Sequence, residues 1–146
     1  MKEIHPKNLI PTLLEASEGF TKVWNDLIID YGDDEIDWWT HINEYGGLYS
    51  VFNALAIYVA KIYKLSQFEE LQRIFDLVEQ WHREGSHYVK EATTVGFLED
   101  LSNLNVVGNI DTSVFIKYMG PDTKHWWQEV KKFWETGKII GVEEDT

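Results

Sequence analysis

The sequence predicts an all-α, single-domain fold, an irregular helical bundle or a short stack of antiparallel helical hairpins, with about six helices. Three observations carry this. Apolar residues recur at three- and four-residue spacing along nearly the whole chain, the period of a helix with one buried face. Of the 146 residues 44% are hydrophobic, including seven Trp, seven Tyr and seven Phe, enough large side chains for one core. Most glycines and prolines fall between the periodic stretches, and no hairpin signal separates two alternating runs. One domain is expected over residues 1–146, with 142–146 as a frayed tail.

The elements follow in order. Pro11 suits a first helical turn, where a missing N–H costs nothing. Leu13, Leu14, Phe20, Val23, Trp24, Leu27 and Ile28 then keep helical spacing, with a break expected at Gly19. Gly32 and the acids after it read as a loop. Gly46-Gly47 opens a stretch with hardly any polar face (Leu48, Val51, Phe52, Leu55, Ile57, Val59, Ile62, Tyr63), the mark of a central helix. Ser66-Gln67-Phe68-Glu69 fits a capping box. It precedes a helix that turns Phe68, Leu71, Ile74, Phe75, Val78 and Trp81 inward and Glu70, Arg73 and Asp76 outward. Gly85 is placed as a left-handed cap, and Ser86 starts the next helix. That helix buries Val89, Ala92, Val95, Leu98 and Leu101, and packs back on its predecessor as an αα-hairpin. Gly96 within it costs ~1 kcal/mol relative to Ala, a cost offset by close approach of a neighbouring helix. Asn105 to Ile110 reads as loop, the one place where Val106-Val107 would permit a strand. Asp111 or Thr112 caps a short helix to Met119. Gly120-Pro121 then begins the last helix, with Trp126, Trp127, Val130, Phe133 and Trp134 on one stripe.

Composition also excludes classes of function. Thirteen Lys and Arg against 25 Asp and Glu leave a net charge of -12, the wrong sign for a phosphate backbone or an anionic membrane surface. No nucleic acid and no membrane partner is therefore expected, whereas a basic protein partner would be steered in. No cysteine is present, which removes disulfides, thiolate catalysis and Cys-ligated zinc. The amino-terminal stretch has no apolar core of a secretory leader. The longest uncharged run, Tyr45 to Ala60, is 16 residues with two glycines and an asparagine, too short and polar to span a bilayer. A cytoplasmic protein is expected.

Catalytic patterns are sparse. Glu79-Gln80-Trp81-His82 is a Glu-x-x-His, which in di-iron bundles needs a second copy and two further glutamates. His41-Ile42-Asn43-Glu44 has the reverse order, so His82 reads as a surface residue in a last helical turn. A zinc site from His41, His82, His87 or His125 lacks a helical His pair. Nucleophile elbows and phosphate-binding glycine loops are absent from the sequence. No catalytic residue, metal ligand or cofactor is assigned.

The strongest local feature is electrostatic. Between Lys22 and Lys61 no basic residue occurs, while Asp26, Asp30, Asp33, Asp34, Glu35, Asp37 and Glu44 are all acidic. Trp38 and Trp39 lie within this run. Acids for steering beside indoles for anchoring make a protein-docking combination. The same acids also suit a solvated loop, with tryptophans turned inward as that residue usually is. The run lacks the ligand spacing of a calcium loop. Asp33, Asp34, Glu35, Asp37, Trp38, Trp39 and Glu44 are the expected partner-binding residues.

Two segments add a resemblance. Gly96-Phe97-Leu98-Glu99-Asp100-Leu101 and Gly120-Pro121-Asp122-Thr123-Lys124-His125-Trp126-Trp127 resemble the G-F-L-E-x-L and G-P-x-[ST]-x-x-W-W elements of an uncharacterised family of small helical bacterial proteins. Those proteins are similar to the immunity proteins that accompany polymorphic and contact-dependent toxins. The resemblance implies neutralisation of a cationic toxin by direct binding, without catalysis. It supplies no catalytic residues. Glu99 reads as a capping or cross-helix hydrogen-bond partner. The alternatives are a helical-repeat scaffold that binds a peptide in a groove, and a small metal-binding helical enzyme built on Glu79 and His82.

Overall fold

The computed structural model describes residues 3–31, 47–107 and 110–136, with side chains over 3–27, 47–104 and 110–133. The expected all-α class is correct. The helices are α1 (Pro6–Ala16), α2 (Glu18–Tyr31), α3 (Leu48–Lys64), α4 (Phe68–Glu84), α5 (His87–Glu91), α6 (Glu99–Val107) and α7 (Pro121–Thr136). A π-helical segment (Ala92–Leu98) joins α5 to α6, and a 3₁₀ helix (Thr112–Tyr118) precedes α7. No strand occurs among the described residues, only a parallel bridge between Ile4 and Gly85.

α3 is the centre, as its nearly all-apolar sequence requires. It packs on α2, α4, α6 and the π segment, and buries Val51, Phe52, Leu55, Val59 and Ile62 completely or nearly so. Phe52 stacks on Trp81 of α4 with ring centroids 5.2 Å apart, and meets Phe97 of the π segment edge-on at 6.2 Å. Such ring pairs stabilise by about 1 kcal/mol beyond their buried area. Ile57 departs from the expected burial and is 57% exposed. Gly47 enters α3 at φ 60° and ψ −136°, a backbone region open almost only to glycine. The Tyr88 hydroxyl accepts the first amide, that of Leu48, at 3.1 Å.

Several expected helix ends shift for identifiable reasons. α1 starts at Pro6, behind His5, whose amide is accepted by the Asn8 side chain at 3.3 Å, and Pro11 lies inside the helix. The break after α1 falls at Ser17, not Gly19. Gly19 serves packing instead: a Cβ there would lie 2.0 Å from the Tyr58 hydroxyl. That hydroxyl and the Ser17 hydroxyl both donate to Glu70, which turns this expected outward residue toward the α1–α2 junction. Burial, then the Glu70 hydrogen bond, push the Tyr58 phenol up to about 12.

Ser66 does not form the capping box. It adopts φ 61° and ends α3: its amide donates to Tyr63 and the Gln67 amide to Ile62, at 3.0 and 2.9 Å. This paired closure of a helix C-terminus takes the backbone that the box would have used. Phe68, expected inward, is 44% exposed and its ring meets Tyr63 at 5.8 Å.

Gly85 is extended (φ −67°, ψ 154°), not left-handed. Its requirement is space, since a Cβ would lie 2.4 Å from the Trp81 carbonyl oxygen. The Ile4 amide donates to Glu84 and the Ser86 amide to Ile4, at 2.9 and 2.8 Å, which holds the amino-terminal residues against the α4–α5 turn. Ser86 caps α5 as expected, accepting from the Val89 amide at 3.2 Å.

The π segment explains why Val95 is 36% exposed instead of buried. Hydrogen bonds from i to i+5 widen the turn and advance the apolar face by about one position. Gly96, Phe97 and Leu98 then face the core together. At Gly96 a Cβ would sit 3.2 Å from the Tyr49 ring, the expected close helix approach. α6 continues to Val107 where a loop or strand was expected. Asp111 caps the 3₁₀ helix through the Ser113 amide at 3.1 Å. On α7 Trp127 and Val130 are buried and Trp126 and Phe133 half-buried, while the Trp134 side chain lies outside the described residues.

Candidate functional site

The polar centre of the molecule joins α4, the π segment and α7. Glu79 and His82 stand one turn apart on α4. The three-residue spacing puts both side chains on the face that α7 crosses. Glu79 Oε1 accepts from the Thr123 amide and the Thr123 hydroxyl, both at 2.9 Å, and Oε2 accepts from the Asp122 amide at 3.2 Å. These are amides of the first turn of α7, which no intrahelical carbonyl can reach. Glu79 thus caps α7 from a different helix. Pro121 needs no such partner, having no N–H. Gly120 makes room, because a Cβ there would lie 2.5 Å from the Glu79 carboxyl carbon. Burial would raise the Glu79 pKa, but the Thr123 and Asp122 donors prevail and hold it below the usual carboxylate range.

His82 is buried, 4% exposed, contrary to the surface position expected for it. Its Nδ1 lies 3.0 Å from the Thr123 hydroxyl and its Nε2 3.1 Å from the Thr94 hydroxyl. The direction of these bonds follows from Glu79. Thr123 gives its hydroxyl proton to the carboxylate, so it accepts from Nδ1–H, and Nε2 is left to accept from Thr94. The result is a directed chain, Thr94 to His82 to Thr123 to Glu79. Burial drives the His82 pKa down to about 4, against the Glu79 charge and a Val78 backbone hydrogen bond that favour the cation. The imidazole is neutral at pH 7 and both its nitrogens are occupied.

A cavity of about 600 Å³ opens beside this chain, between the π segment and α7. His82 and Thr94 contribute to its floor, Val95 and Trp126 to its walls, and Lys90 and Glu91 to its rim. The rim is internally paired: Glu91 lies 3.6 Å from His87. The Tyr49 phenol nearby is raised first by burial and then by the Glu91 charge. Among the described residues no three His, Asp or Glu side chains converge as a metal would require. The Glu-x-x-His pair fastens helices: its polar atoms are bonded to Thr94, Asp122 and Thr123. Glu99 is half-buried and raised by burial and by the Asp100 charge. A cross-helix bond of the kind expected of it is made by Asp100, which accepts from the Asn53 amide group at 3.3 Å.

Asp33, Asp34, Glu35, Asp37, Trp38, Trp39 and Glu44 lie outside the described residues. Reasoning from sequence missed the burial of His82, although a signal existed. His82 continues the stripe Leu71, Phe75, Val78 at seven and four residues' remove, a core register that its polarity concealed. Glu79 was singled out for its spacing to His82 but not for its contact with Thr123, since nothing local connects residues 44 positions apart.

The fold and this centre define an all-α protein in which a part-buried carboxylate and a buried imidazole, joined through Thr123, clamp α4 to α7 and the π segment. The chain belongs to the family described as a domain of unknown function, DUF7674, whose model matches residues 10–135, most of its length. No curated protein and no solved structure matches it. No helix among the described residues is long and apolar enough to cross a membrane.

Proposed function

We propose that this protein is a non-enzymatic, acidic binding protein of the bacterial cytoplasm, an immunity protein that neutralises a cationic toxin by direct contact. The observation that carries the reading is the charge distribution. The net charge is -12, and seven acids without one lysine or arginine fall between Lys22 and Lys61, about a quarter of the chain. Like charge so concentrated weakens a folded state by self-repulsion, and a basic partner supplies the compensating gain. Asp33, Asp34, Glu35, Asp37 and Glu44 steer association in this reading, and Trp38 or Trp39 anchors the bound state. Catalysis by Glu79 and His82 is disfavoured because their polar atoms are spent on Thr94, Asp122 and Thr123.

The test starts from the gene beside this one. A large secreted protein with a variable toxic carboxy-terminal domain is expected there, and that domain should kill cells unless this protein is co-expressed. Replacing the five acids by their amides should slow association on the order of tenfold at low salt and flatten its salt dependence. An unchanged rate would remove the steering assignment. A toxin neutralised without complex formation would remove the function.

A further inference from the structure

The exposed face of α3 carries its own prediction. α3 contributes Ser50, Asn53, Ala54 and Ile57 to one depression of about 500 Å³, and Ile57, Ala60, Lys61 and Lys64 to another of about 490 Å³. Positions 50, 54, 57, 61 and 64 recur at three- and four-residue intervals, with Tyr49, Asn53 and Ala60 beside them, so both depressions lie along one stripe of α3 and share Ile57. The two depressions adjoin at Ile57, and the shallow trough they make follows α3 for about 21 Å, at 1.5 Å per residue from position 50 to 64. Val95, Gly96 and Asp100 wall one end and Leu104 and Ile110 the other. Ile57 at the midpoint is 57% exposed and Leu65 beyond the lysines 58%. The trough is polarised: Asp100 lies at one end, and Lys61 and Lys64 flank the other.

We propose that this trough is a docking site for one amphipathic helix of a partner protein. That helix lays an aliphatic stripe on Ile57 and carries acidic side chains where it passes Lys61 and Lys64. The length suits about four helical turns, and the spacing along α3 is the one that an interdigitating helix reads. Charge complementarity fixes the chemistry of the occupant. A basic helix would meet two ammonium groups beside an apolar floor, and an acidic one pairs with them. Asp100 at the far end completes the polarity and favours the positive end of the docked helix dipole. The assignment does not depend on the toxin reading, since none of these residues is among the acids and tryptophans that reading invokes.

The experiment uses the full chain and two synthetic amphipathic peptides of about 15 residues. Both share a leucine stripe; one ends in two glutamates, and the other has glutamine in their place. Fluorescence anisotropy measures their affinities. The protein's overall charge of -12 would by itself favour the neutral peptide. The local lysines predict the reverse, a preference for the acidic peptide of about fivefold. Ile57→Glu should abolish binding of both. Lys61→Glu with Lys64→Glu should weaken the acidic peptide and leave the neutral one unaffected. Leu65→Glu repeats the test from a second exposed position, with circular dichroism to show that each variant is folded. Equal affinities, a preference for the neutral peptide, or full binding by the Ile57 variant would overturn the proposal. So would a dimer in sedimentation that Ile57→Glu dissociates, because the trough would then belong to a second copy of the chain.

Discussion

His82 is a buried imidazole that the fold keeps neutral, and this has a pH signature with a definite sign. Its pKa is about 4 in the folded chain against an ordinary 6.5. The unfolded chain therefore binds the proton first as pH falls. The stabilisation is complete above pH 6.5, declines from there to pH 4, and is gone below both values, a loss of about 3 kcal/mol. Urea titrations between pH 7.5 and 4 should show this decline in the wild type. In His82→Gln the decline over that window should shrink, the carboxylates contributing equally to both. Glu79→Ala removes the acceptor for two amides and a hydroxyl, at an expected cost of about 2 kcal/mol. Thr123→Val strips the middle of the same chain, so the two changes together should cost clearly less than their sum. Additive costs in a double-mutant cycle would show that Glu79 and Thr123 act separately.

Helix existence was legible in the sequence; several helix ends and faces were not. The α4 stripe from Leu71 to Trp81 is buried as its spacing predicts, because a long amphipathic pattern has one way to bury its apolar side. Ser66 misled because two helices compete for one short connection, and the closure of α3 used the backbone that would have capped α4. Val95 misled because a regular period cannot anticipate a wider turn. The partners of Glu79 and His82 were illegible for a third reason: they come from α7 and the π segment, and spacing within α4 carries no information about them. Gly85 offers an element-level test. Its extended φ suits any residue, so only space forbids a side chain, and the obstacle is the Trp81 carbonyl, which cannot yield. Gly85→Ala should cost about 3 kcal/mol by overpacking, measured by chemical denaturation. A nearly neutral alanine would show that space is not the constraint, since this extended backbone strains no residue.

For the molecule as a whole, charge and anchoring work against each other. At -12 the folded chain repels itself, and added salt should raise its melting temperature until screening is complete near a Debye length of about 8 Å. The five-acid variant should gain stability at low salt even while it loses association rate. A second feature governs how the chain can be handled. Ile4 is held by backbone bonds to Glu84 and Ser86, 80 and 82 residues away in sequence, so the segment before α1 is fastened to the middle of the chain. Trimming the first five residues would strand the Glu84 carbonyl and the Ser86 amide at the hinge of the α4–α5 hairpin. An affinity tag, fluorophore or surface tether abutting Ile4 would strain that clasp, and deuterium uptake at the Ser86 amide would report the strain before any global unfolding did.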